Sequence, residues 1–207
     1  DLLDVLPISL KSSILLEIYK PMIQKIKFLS NSDVSNSFIL AFFQKAVYLH
    51  LKKGSHILKE RQAISEVYFV MKGAFYINMG REFENRKIVR IKEGMHYGDI
   101  LMFTYSTSPY NLVVCSNMCS LLIVNKNDYL SLQEDYQDTM DQFLKTSYQT
   151  HYSIEKKKES AIQFYNNKFT LNGFDDFYCK IAYRKVNKEI EKDFNYKLHK
   201  SNYNNTR

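Results

Sequence analysis

The chain has 207 residues, 45% hydrophobic and 25% charged, with a formal net charge of +7. That is enough chain and enough apolar character for one sizeable core. No apolar run approaches the roughly 18 residues that cross a bilayer as a helix. The charge is uneven: residues 151–207 carry 12 Lys/Arg against 7 Asp/Glu. The larger part is therefore near neutral and the tail is basic. A nucleic-acid-binding face needs concentrated basic residues with stacking aromatics. The cluster Lys156-Lys157-Lys158 reads instead as a solvated helix face, and no nucleic-acid partner is expected. Cys115, Cys119 and Cys179 form no metal spacing, and a reduced setting is the simplest reading. The chain starts at Asp1 without a signal peptide and is read as a fragment or processed product of a longer protein.

Residues 1–30 read as helical. Pro7 suits a first turn, and Leu10, Ile14 and Ile18 recur at helical spacing, with Leu15 and Leu16 widening the stripe. Pro21 is expected to open a second short helix containing Ile23 and Ile26. Asn31 or Ser32 is the expected N-cap of the next helix, with Asp33 in its first turn. That helix carries Val34, Phe38, Ala41 and Phe42 and ends near Lys45.

From Val47 the period becomes two: Val47, Leu49 and Leu51 alternate with Tyr48, His50 and Lys52. Short strands are expected at 56–59, 66–71, 74–79, 87–91, 111–116 and 120–124. Lys53-Gly54, Lys72-Gly73, Glu93-Gly94 and Ser116-Asn117 mark turns between them. Many short strands at even spacing imply a sandwich or barrel. Asn125 is the expected N-cap of a helix over 126–132, with Asp128 in its first turn. A longer helix runs from about Tyr136 to Asn166, with Met140, Phe143, Leu144, Tyr148 and His151 on one face. Tyr178, Ala182, Val186, Ile190, Phe194 and Leu198 predict one more amphipathic helix over 174–200.

Catalytic signals are absent. No nucleophile–base constellation, phosphate-binding P-loop or metal motif occurs, so no enzyme is expected. His50, His56, His96 and His151 are scattered, and His96, beside the next motif, reads either as a ligand contact or, in the first instance, as a surface residue.

The motif is Tyr97-Gly98-Asp99-Ile100-Leu101, between two groups of strands. Gly54 fits the first turn of a β-roll, and Glu66-Val67-Tyr68-Phe69-Val70-Met71-Lys72-Gly73 fits an apolar strand ending in glycine. Leu121-Leu122-Ile123-Val124 followed by Asp128-Tyr129 fits a last strand and the helix after it. In this order the segments resemble a cyclic nucleotide-binding domain, over about residues 34–160. Leu6-Pro7, Leu10, Ile14, Tyr19, Ile23, Lys25 and Phe28-Leu29 resemble the end of a C-linker. That segment precedes the domain in cyclic nucleotide-gated, hyperpolarisation-activated and ether-à-go-go-type cation channels.

The resemblance implies an α+β fold: an antiparallel, jelly-roll-like β-roll with flanking helices, an N-terminal helical linker and a long C-terminal helix. The implied divisions are a linker end over 1–32, the domain over 33–166, and a basic tail over 167–207. Residues 97–101 would open the phosphate-binding cassette. Gly98 would let the backbone approach the cyclic phosphate, and the amides of Ile100 and Leu101 would hold it at a helix start. Asp99 would face the ribose 2′-hydroxyl. The family's Arg, which pairs with the phosphate, falls on either Ser108 or Pro109. Ser108 brings no charge and Pro109 has no N–H. Losing such a charge-assisted partner costs about 2–5 kcal/mol, roughly 30- to several-thousand-fold in affinity. Tyr105 and Tyr110 stand where they either enter the pocket or cover a core edge.

The implied function is the cytosolic regulatory module of a membrane cation channel, potassium-selective in the first instance or else nonselective, with cAMP or cGMP binding weakened or lost and no other cofactor. The alternative is a regulatory or structural domain of an exchanger, a kinase regulatory subunit or a ciliary protein. Implied partners are the other subunits of a homotetramer, through the linker, and a parent transmembrane pore. A further partner for the 174–200 helix is open. The implied location is the cytoplasmic side of a membrane.

Overall fold

A computed structural model of the chain describes residues 7–80, 83 and 85–170. The helices are α1 (Ile8–Ile23), α2 (Asn36–Lys45), α3 (Asp99–Thr104), α4 (Lys126–Asp135) and α5 (Gln137–Thr170). The strands are β1 (Val47–Lys52), β2 (His56–Leu58), β3 (Glu66–Lys72), β4 (Ala74–Asn78), β5 (Lys87–Lys92), β6 (His96–Tyr97), β7 (Asn111–Val114) and β8 (Met118–Asn125). The predicted helix over 174–200 and Cys179 lie outside the described residues. The chain divides into two compact units after Ile154. The first holds every described strand; the described part of the second is the continuation of α5.

The strands form two antiparallel sheets, ordered β1-β8-β3-β6 and β2-β7-β4-β5. Each sheet alternates early and late strands, as a roll closed from both ends of the sequence requires. In the second sheet, Phe75 pairs with Val114 and Ile77 with Leu112, and all four are within 2% of full burial. Period-two alternation puts them on the inner face and leaves Tyr76 and Val113 facing out. β3 is buried on both faces because helices cover its outer side. Phe69 meets Phe42 at 5.0 Å and Phe143 at 5.9 Å between ring centroids. Phe28 joins the same cluster against Phe143 at 4.5 Å. Aromatic pairs at these distances add to the stabilisation from area burial.

Sequence-based expectations and structure part at a few helix ends. Pro21 does not open a second helix but lies inside α1, near its C-terminal end. Proline removes only one ladder hydrogen bond there, and little helix remains to be lost. Residues 24–34 instead form turns that bury Ile26, Leu29 and Val34. The N-cap of α2 is Ser35, whose hydroxyl accepts from Phe38 N at 3.2 Å, not Asn31 or Ser32. Asn31 caps the preceding turn, accepting from Asp33 N. Asn125 caps α4 as expected, accepting from Asp128 N at 2.9 Å. On α5 the buried positions in the first unit are Met140, Phe143, Ser147 and Ile154, whereas Tyr148 is half exposed. The stripe therefore steps by three, four and seven residues, two helical turns in the last case, and runs through a serine, which apolar periodicity passes over.

Candidate functional site

The candidate site is the segment from His96 to Tyr110. β6 pairs with β3, placing Tyr97 opposite Tyr68 and His96 opposite Phe69. Gly98 then turns the chain into α3 with φ at 116°. A Cβ there would lie 2.6 Å from the Glu66 carbonyl oxygen. Glycine is thus required by the fit against β3, whatever the site binds. Asp99, Ile100 and Leu101 form the first turn of α3, and all are at most 4% exposed.

Asp99 is directed at α5. Its Oδ2 lies 3.6 Å from His96 Nε2, which is charge contact rather than hydrogen-bond length. Oδ2 itself has no hydrogen-bond partner among the described residues. His96 Nε2 lies 2.9 Å from Ser147 Oγ. Ser147 donates its proton to the Phe143 carbonyl at 3.0 Å, so its oxygen is the acceptor and His96 Nε2 carries the hydrogen. The His96 ring also packs on Phe143 at 4.4 Å and is 12% exposed, so it is an interior residue rather than a surface one. Burial alone would raise the Asp99 carboxyl. The nearby His96 ring, then Ser147 and the Ile100 amide, hold it below the usual carboxylate value. The same charge acts on Tyr129, whose hydroxyl is pushed well up, first by burial and then by Asp99 and Tyr148.

The space between the first turn of α3 and α5 is narrow. Its cavity is about 10 Å³, bounded by residues 96–101 and by Ser147, Thr150, His151 and Ile154. That holds about one water molecule, against the several hundred Å³ of a small-molecule site.

The end of the segment is bound up with the β2–β3 loop. Ser108 N donates to Gln62 O, and Arg61 N donates to Ser108 O, each at 2.8 Å. Ala63 and Thr107 form a bridge. Ser108 is 2% exposed. Its hydroxyl donates to Tyr110 O at 2.8 Å and accepts from Tyr110 N at 3.2 Å. Pro109 is half-buried. Tyr110, 1% exposed, belongs to the hydrophobic core. Residues 97–110 contain no cationic side chain. A larger concavity, about 810 Å³, lies elsewhere, on the outer face of the second sheet.

Sequence reasoning brought Gly98, Asp99, Ile100 and Leu101 together and placed Ser108, Pro109 and Tyr110 in the return to β7. It missed Ser147 and the inward turn of His96. The available signal was a polar residue at a core-facing position of α5, four residues after Phe143.

Residues 48–136 match the family model described as cyclic nucleotide-binding domain. Over 135 residues the chain is 25% identical to the potassium channel KOR1 of Oryza sativa subsp. japonica, covering 62% of this chain and 15% of that protein. The fold is similar to that of the regulatory subunit of a cAMP-independent protein kinase A from Trypanosoma brucei, with a TM-score of 0.57 and 17% identity. That likeness covers 71% of this chain and 50% of the other. The chain thus spans a small part of the one relative and half of the other. Over residues 48–136 the sequence matches that domain family, and the fold is the α+β fold of such a domain.

Proposed function

We propose that this domain is the regulatory module of a membrane cation channel, a potassium channel in the first instance, and that its cassette is held by contacts within the chain rather than by a tightly bound cyclic nucleotide. The observation that carries the second part is Asp99, buried against His96 and Ser147 of α5 instead of facing an open pocket. Ser108 in place of a cation, and Tyr110 packed in the core, support it. The similarity to a plant potassium channel supports the first part. On this reading α1 and residues 24–32 are the end of a linker through which four subunits assemble, and residues 33–166 are the module proper.

The mechanism is a shift of populations. Whatever binds better to one arrangement of α5 than to another moves the gate by that difference in affinity. His96, Asp99 and Ser147 connect α5 to the cassette, so displacement of the helix and release of the cassette are one event.

A second reading is a regulatory domain of a non-channel protein. It is favoured by the likeness to a kinase regulatory subunit described as cAMP-independent, a regulatory role without cAMP on this fold. The two separate on the genomic sequence upstream of the Asp1 codon. Six apolar spans and a pore loop are expected for the channel, and their absence contradicts it. Isothermal titration calorimetry tests the ligand claim. A low-micromolar dissociation constant for cAMP or cGMP contradicts it.

A further inference from the structure

The concavity on the outer face of the second sheet plays no part in that reading. Its volume, about 810 Å³, lies within the range of small-molecule sites. Its walls are polar. Lys59, Glu60 and Arg61 come from the β2–β3 loop, Asn78 from the end of β4, and Asn111 from the start of β7. Asn78 and Asn111 are paired across the ladder, so their side chains share the outward face.

Five features distinguish this hollow from an ordinary wet surface. The side chains of Lys59 and Arg61 have no hydrogen bond or ion pair among the described residues. Asn78 is 9% exposed, and its Oδ1 is buried without a hydrogen-bond partner among the described residues. Such a group ordinarily has one. Asn111 is fixed, because its Oδ1 accepts from Glu60 N at 3.0 Å, which leaves its Nδ2 donors available. The Glu60 carboxylate lies against Gly80, where a Cβ would come within 2.5 Å of Oε1. Arg61 also has φ at 65°, a left-handed conformation uncommon for a non-glycine residue and often found at ligand sites.

The chemistry selects a class of ligand. Two cations without internal partners call for an anion that accepts charge-assisted hydrogen bonds. A buried amide oxygen, a pair of amide donors and a carboxylate match hydroxyl groups. Among the described lining residues there is no Phe, Tyr or Trp, and the imidazole of His56 is the one ring, so no large aromatic platform for a nucleobase is present there. We infer that this concavity binds a sugar phosphate, with the phosphate on Lys59 and Arg61 and the hydroxyls on Asn78, Asn111 and Glu60.

Binding there is linked to the cassette. Arg61 N and Gln62 O are the two backbone partners of Ser108, each at 2.8 Å. An occupant that draws on Arg61 therefore bears directly on the return of the cassette into β7.

The test is a titration of the whole 207-residue chain with ribose 5-phosphate, inorganic phosphate and ribose, followed through backbone amide signals. Saturable shifts with ribose 5-phosphate are expected at residues 59–62, 78 and 111, spreading to Ser108, with affinity at least about tenfold tighter than for phosphate or ribose alone. The double variant K59Q/R61Q, whose substituted side chains are exposed, should keep the remaining spectrum and weaken binding about tenfold or more. The proposal is overturned by an absence of saturable shifts, by equal affinity for phosphate alone, or by undiminished binding to the double variant. Shifts confined to residues 98–101 would also overturn it, since they would place the ligand at the cassette.

Discussion

His96 Nε2 and Ser147 Oγ lie 2.9 Å apart and join the strand that opens the cassette to the helix that covers it. The bond is buried on the serine side, at 2% exposure, and its direction is fixed by the serine's donation to Phe143 O. A hydrogen bond shielded from water counts for more when one partner is removed, because the other is left without an acceptor.

The variant S147A should therefore lose stability by about 1–3 kcal/mol. The value should fall toward the lower end, because Asp99 Oδ2 is already 3.6 Å from the same nitrogen and can receive its hydrogen. Urea unfolding monitored by circular dichroism measures the loss. Unchanged stability would mean that the cassette and α5 are not held together by this bond.

Acid tests Asp99. Its folded value lies below the usual carboxylate value of 3.8. A depressed folded value stabilises the fold above the unfolded one, and that contribution disappears as pH falls from about 4 through the folded value. The stability difference between the native chain and D99N should thus shrink below about pH 4. Parallel curves to the lowest pH would show that the carboxylate charge contributes nothing.

Gly98 separates a packing role from a phosphate-cradling one. With φ at 116° and a virtual Cβ 2.6 Å from Glu66 O, G98A should destabilise the ligand-free chain by about 1–3 kcal/mol. Thermal unfolding without any nucleotide measures this. A variant as stable as the native chain would return the glycine's purpose to ligand approach.

Tyr110 fills the interior rather than lining an open pocket. Truncation to alanine should cost about 3–5 kcal/mol, the range for large aromatic side chains removed from a core. A cost near zero in chemical unfolding would mean that the ring occupies space which the fold does not need.

The roll was legible where side-chain period and turn chemistry agree. Val47–Lys52 alternates as a strand, and glycine turns at 54, 73 and 94 punctuate the rest. β6 was not legible, because two residues are too few to show a period. The cap at Ser35 was missed because Asn31 and Ser32 offer equivalent side chains a few residues earlier. Within the site, the absence of a cation was plain from Ser108 and Pro109. The orientation of Asp99 was not, because it is set by Ser147, 48 positions away on another element. The outer concavity was hidden for the same reason: its walls gather residues from His56 to Val113, and no local pattern marks them.

Hydrogen–deuterium exchange across residues 97–104 and 140–154 tests most directly whether the cassette is closed by the chain itself. The ligand-free protein should already protect both segments, and a saturating addition of cAMP or cGMP should leave that protection unchanged. Fast exchange in the free chain that slows when either nucleotide is added would contradict the account.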